Sequence, residues 1–64
     1  MAKVNIDAAI IEAVETRNAE LADRISEAMV FINGWTYKRL YRKANELTGI
    51  NEGEWCELIA EGEG

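Results

Sequence analysis

The stretch Asp7–Asn33, DAAIIEAVETRNAELADRISEAMVFIN, contains neither Gly nor Pro and is rich in Ala, Glu, Ile and Leu. Such residues favour helix. Asn5 and Asp7 are both suited to cap its start, and Asn33-Gly34 supplies a left-handed stop. The pattern predicts one helix over about residues 7–33. At 1.5 Å per residue that is a rod of roughly 40 Å.

A seven-residue register runs along this helix. Val4, Ile11, Asn18, Ile25 and Ile32 fall at a, and Asp7, Val14, Leu21, Ala28 and Trp35 at d. Eight of the ten positions are apolar against 48% for the whole chain, so the stripe is a pattern and not composition. β-branched a residues with one central Asn suit paired helices, where a buried Asn fixes register. Ala8, Ala22 and Met29 at e, with Ile10 and Phe31 at g, widen the stripe towards that of a bundle helix. The expected oligomer interface is therefore Ile11, Val14, Asn18, Leu21, Ile25, Ala28 and Ile32.

Beyond Gly34 a second helix is expected over about residues 36–48, capped by Thr36. Tyr37, Leu40, Tyr41, Ala44 and Leu47 form its apolar face, and Gly49 ends it with Ile50 packing back. A third, over about residues 52–60, starts at Asn51, with Glu54 three residues on as in a capping box. Trp55, Leu58 and Ile59 are its apolar face, and Glu61-Gly62-Glu63-Gly64 is expected to fray. The chain, residues 1–64, thus reads as one all-α domain: a long helix folded back on two short ones. No alternation of the β type is present.

Sixty-four residues cover only about 60% of the surface the unfolded chain exposes, and domains of this size usually add a staple. Cys56 is the single cysteine, which excludes an internal disulfide and points to a reducing compartment. With no His, the nitrogen and sulfur ligands of a zinc site are missing, and calcium-loop spacing is absent. No metal and no cofactor are expected. Self-association is the staple that remains, giving a coiled-coil or bundle-like homo-oligomer, dimeric or larger. No signal peptide is evident and no apolar run reaches the roughly 18 residues of a membrane span. A cytoplasmic protein without membrane contact is the expectation.

The net charge of −5 is unevenly placed. Residues 1–33 sum to −3, residues 34–50 to +3 and residues 51–64 to −5. The positive block is Lys38, Arg39, Arg42 and Lys43, interleaved with Trp35, Tyr37 and Tyr41. Cations among aromatics can hold phosphates while the rings stack on bases. The alternative is that they neutralise acidic helices of the same assembly. Ala44–Asn51 resembles the turn of helix-turn-helix DNA-binding proteins, through Gly49-Ile50 and the helix that follows. Asn45 stands where that family has Ala, and Trp55 where it has a smaller apolar residue. Glu52, Glu54, Glu57 and Glu61 would meet phosphate repulsion in the major groove, so we read the stretch as a general helix–helix turn.

No Ser or Cys stands beside a base, and Glu54 and Glu57 flank Cys56, an environment that disfavours thiolate. Catalysis is not expected. The carboxylates from Glu12 to Glu27 and from Glu52 to Glu63 resemble in kind the surfaces of small acidic viral inhibitors that imitate nucleic-acid charge. The function expected is that of a small acidic oligomeric interaction protein, an inhibitor by that analogy, bound to another protein. The alternatives are an anion binder, for nucleic acid or a nucleotide, through Lys38, Arg39, Arg42, Lys43, Tyr37 and Tyr41, and a structural adaptor.

Overall fold

The structure, a computed structural model, describes residues 5–64. Val4, assigned above to the heptad register, lies outside them. The described residues form helices and turns with no strand: α1 (Ile6–Glu15), α2 (Ala19–Ser26) running on as a π-helical segment (Glu27–Ile32), α3 (Tyr37–Thr48) and α4 (Glu52–Glu63). The all-helical class is as the sequence predicts.

The single long rod is not there. The chain breaks at Thr16-Arg17-Asn18, where Arg17 takes a left-handed φ of 54°. Asn18 N–H donates to Ala13 O at 3.0 Å and Arg17 N–H to Val14 O at 3.3 Å. This is a Schellman stop with Arg17 in the position usually held by Gly. The Thr16 hydroxyl donates to Glu12 O at 2.7 Å, a side-chain bond that competes with helix propagation. Asn18 then caps α2, its Oδ1 accepting from Leu21 N–H at 3.1 Å. Asn18 is thus an exposed helix cap and not a registry residue in a paired seam. The domain's longest dimension is 32 Å, shorter than the expected rod.

The break turns a different face inward. On α1 the inner residues are Ile6, Ala9, Ile10 and Ala13; on α2 they are Ala22, Ile25 and Ser26, with Ala19 and Met29 at the edge. Both sets follow helical spacing, but the buried face sits one residue from the heptad. Ile10, Ala13 and Ala22 are buried, whereas Ile11, Val14 and Leu21 are half-buried. Of the expected interface residues, Ile25 is covered by the chain itself, Ala28 is half-buried and Ile32 is exposed. Leu40 and Ala44 of α3, Ile50 of the following turn, and Trp55, Leu58 and Ile59 of α4 complete the core. Full burial of Trp55, Ile10 and Leu40 contributes on the order of 1.5–3 kcal/mol each. The radius of gyration, 10.7 Å, is about that of a compact domain of this length. The buried residues of all four helices form one core cluster within the chain.

The other helix ends follow the sequence. Asn5 Oδ1 accepts from Asp7 N–H at 3.0 Å, and Thr36 Oγ1 from Arg39 N–H at 3.1 Å. Gly49 stops α3 with φ +79°. Asn51 and Glu54 exchange two bonds of 2.8 Å, Glu54 N–H donating to Asn51 Oδ1 and the Asn51 side-chain Nδ2 donating to Glu54 Oε1, in place of the backbone N–H of a capping box. The last turn of α4 differs from expectation: it is helical to Glu63 because α4 lies principally against α2, and Gly62 seats directly on the backbone of Ala19. A Cβ there would collide with Ala19 O, and would stand 2.7 Å from Ala19 C and 2.9 Å from Asp23 Cβ.

Two outcomes check this packing. Arg17→Gly removes a left-handed strain of about 1–2 kcal/mol. Less the added chain entropy, it raises stability by about 0.5–1 kcal/mol in urea unfolding; within a continuous rod the same change would cost about 1 kcal/mol. Gly62→Ala forces α2 and α4 apart and lowers stability by about 1–3 kcal/mol. An unchanged urea midpoint would contradict the contact.

Candidate functional site

The candidate surface begins where the chain leaves the π segment and continues along the outward residues of α3. Where it begins, the hydrogen-bond register widens: Asn33 N–H donates to Ala28 O at 3.0 Å and Trp35 N–H to Met29 O at 2.8 Å, across Gly34 at φ +75°. Side chains in this wider turn leave the 3.6-residue rhythm that holds Ala22 and Ile25 inward. Phe31 is 73% exposed, Ile32 80% and Tyr37 41%. They are the large apolar side chains that the described residues present to solvent. The sequence placed Phe31 on the flank of a buried stripe, and no spacing signal announces its exposure.

Trp35 follows the turn and is half-buried. The Arg39 guanidinium lies over its ring, 4.1 Å from the centroid, a cation–π arrangement. Arg42 and Lys43 stand one turn further on. With Ile6, Asp7 and Glu46 these residues line a groove of about 470 Å³ between the start of α1 and α3. Arg42 also borders a second groove of about 340 Å³, shared with Lys38, Tyr41, Asn45, Asn51 and Glu52. The structure therefore divides the sequence-predicted cluster: Arg39 and Lys43 face the first groove, Lys38 and Tyr41 the second, and Arg42 both. Tyr37 lines neither, its ring centroid 6.0 Å from that of Tyr41.

Only one of the four cations meets an acid. Lys43 Nζ lies 3.5 Å from Asp7 Oδ1. The other ion pairs among the described residues are Arg24–Glu20 and Arg17–Glu54, so Lys38, Arg39 and Arg42 pair with no carboxylate there. Internal neutralisation accounts for Lys43 and not for the other three. Their placement also works against α3. Lys38 and Arg39 occupy its first turn, which has no acid, where the helix dipole disfavours a cation by about 0.3–1 kcal/mol. Lys38 with Arg42, and Arg39 with Lys43, are like-charge pairs four residues apart, each costing roughly 0.2–0.5 kcal/mol.

The Tyr41 phenol is pushed up to about 12, chiefly by interaction of its hydroxyl with the Cys56 thiol, then by burial and the negative charge of Glu52. Cys56 is half-buried and unbridged. Among the described residues no three His, Cys, Asp or Glu side chains converge to hold a metal ion, and no helix is long and apolar enough to cross a membrane. Compared with known proteins, the chain matches no family model, no curated protein and no solved structure.

Because the folded state raises this phenol's pKa, Tyr41 contributes stability that is complete below about pH 10 and is lost as pH rises towards about 12. Ultraviolet titration is expected to show a tyrosinate step near 12 that disappears in Tyr41→Phe and moves down in Cys56→Ala. A step that stays in place in Cys56→Ala would contradict the thiol's role.

Proposed function

We propose that this is a non-catalytic binding protein that contacts another protein through the end formed by Phe31, Ile32 and Tyr37. The observation that carries the reading is the exposure of Phe31 and Ile32, 73% and 80%, side by side. Scattered exposed apolar residues are ordinary. Adjacent large ones, with a further exposed aromatic at the start of the next helix, have the make-up of the apolar centre of an interaction surface.

A second copy of this chain is a poor occupant. The three side chains expose roughly 400 Å², about half of the ~800 Å² per partner in a stable complex. Two-fold pairing at this end would also set the cation-rich starts of two α3 helices beside each other, a like-charge contact. A different partner, apolar with an acidic flank, fits both halves of the surface. The carboxylates of α2 and α4 keep the remainder solvated and influence the approach of charged partners.

A photo-crosslinker at Ile32 should capture a defined protein from the native host, and the same group at Glu20 should not. Phe31→Ser with Ile32→Ser should abolish capture while leaving the unfolding midpoint within about 0.5 kcal/mol of the parent, as for exposed positions. Capture that survives the double change would overturn this contact surface.

A further inference from the structure

Beyond the apolar end, and independent of it, we propose that Arg39 and Arg42, with Trp35 as platform, form a binding site for a compact oxyanion, a phosphate or carboxylate group carried on an apolar stem. The groove supplies both chemistries. Ile6 and Trp35 provide its apolar surface, and Arg39, Arg42 and Lys43 provide the donors. The Arg39 guanidinium lies over the Trp35 ring at 4.1 Å, which restrains it there while its N–H groups remain donors for oxygen atoms in the forked geometry that arginine favours. Arg42 is three residues on, a neighbour on the same helix surface. Neither has a carboxylate partner among the described residues. An anion placed between them offsets like-charge repulsion among the cations of α3.

The same surroundings select against a long polyanion. Asp7 and Glu46 line the groove beside the cations, although Lys43 holds Asp7 at 3.5 Å. Glu52, Glu54, Glu57, Glu61 and Glu63 run the length of α4, and the chain carries −5 overall. A nucleic-acid strand extending past the groove meets that charge. A single anionic group does not have to extend past it.

The test is a titration of the ¹⁵N-labelled full chain at constant ionic strength, with phenyl phosphate and with benzoate, followed by NMR. Saturable shifts of the Trp35 indole N–H and of the Arg39 and Arg42 side-chain N–H signals are expected. The tighter of the two probes identifies phosphate or carboxylate as the preferred group. Arg39→Gln and Arg42→Gln should each weaken binding by about tenfold, the loss of one charged hydrogen-bond partner. Lys38→Gln, on the neighbouring groove, should change it by less than about twofold. Shifts that grow linearly without saturating with either probe, or that persist in the Arg39→Gln, Arg42→Gln double variant, would overturn the site. So would a single-stranded oligonucleotide binding more than about tenfold tighter than phenyl phosphate, which would replace the compact ligand with a strand. Failure here leaves Phe31 and Ile32 untouched, and the crosslinking result separates the two.

Discussion

The left-handed turn at Arg17 is the constraint on which the rest of the fold depends. Without it, Ile10 and Ala13 lie on the same straight rod as Ala22 and Ile25, and the four do not meet in one core. With it, α1 and α2 become two short helices whose inner faces meet α3 and α4 around Trp55. A non-Gly residue in this conformation costs about 1–2 kcal/mol. Against that stand the Asn18 cap, worth about 1 kcal/mol, and the burial that the turn permits. The fold therefore tolerates one strained residue because a much larger apolar area depends on it.

The closure of α2 on α4 uses a second departure from helical preference. Gly53 and Gly62 both lie inside α4, where glycine is a poor helix former. At Gly62 the lack of a side chain lets the two backbones approach at Ala19. The two helices also carry unpartnered polar atoms. Asp23 Oδ1 on α2 and Trp55 Nε1 on α4 are buried without a hydrogen-bond partner among the described residues, and an unsatisfied buried group costs about 1–3 kcal/mol. Close packing of the two helices outweighs those losses, as small cores require when each apolar contact is a large share of the total.

Sequence pattern reveals the parts of this structure that are governed locally. Thr36, Gly49 and the Asn51–Glu54 pair act through atoms a few residues apart, and all three behave as their spacing predicts. The central break escaped for a physical reason. Asn18 is equally suited to a buried a position and to a helix cap, and Thr16-Arg17-Asn18 contains no Gly or Pro to settle which. Heptad and 3.6-residue periods differ by little over two turns, so Ile10 and Ile11 offer faces that pattern alone does not separate. In the candidate site, the cations were visible as a run. Their separation into two grooves, the Arg39 stack on Trp35 and the tie from Lys43 to Asp7, 36 positions away, depend on tertiary packing. Phe31 was assigned to a buried flank because a continuous α-helix was assumed, and the π segment changes the rhythm there.

The charge arrangement on α3 bears on function more than on folding. A helix selected for stability alone would carry acids in its first turn and alternate its charges four residues apart. α3 has no acid in its first turn, and of its charged pairs four residues apart only Arg42 with Glu46 is of opposite sign, one acid against four cations. Glu46 and Glu52 line the grooves beside them, yet among the described residues only Asp7 comes within ion-pair distance of one of these cations. A local rule broken without compensation inside the fold is characteristic of a surface shaped by something outside it. Phe31 and Ile32 end the π segment, and Trp35, on which Arg39 stacks, follows in the turn after it. The charge along α3 and the exposed pair at the end of the π segment are surface features that the core does not use, and each is an opening for binding chemistry.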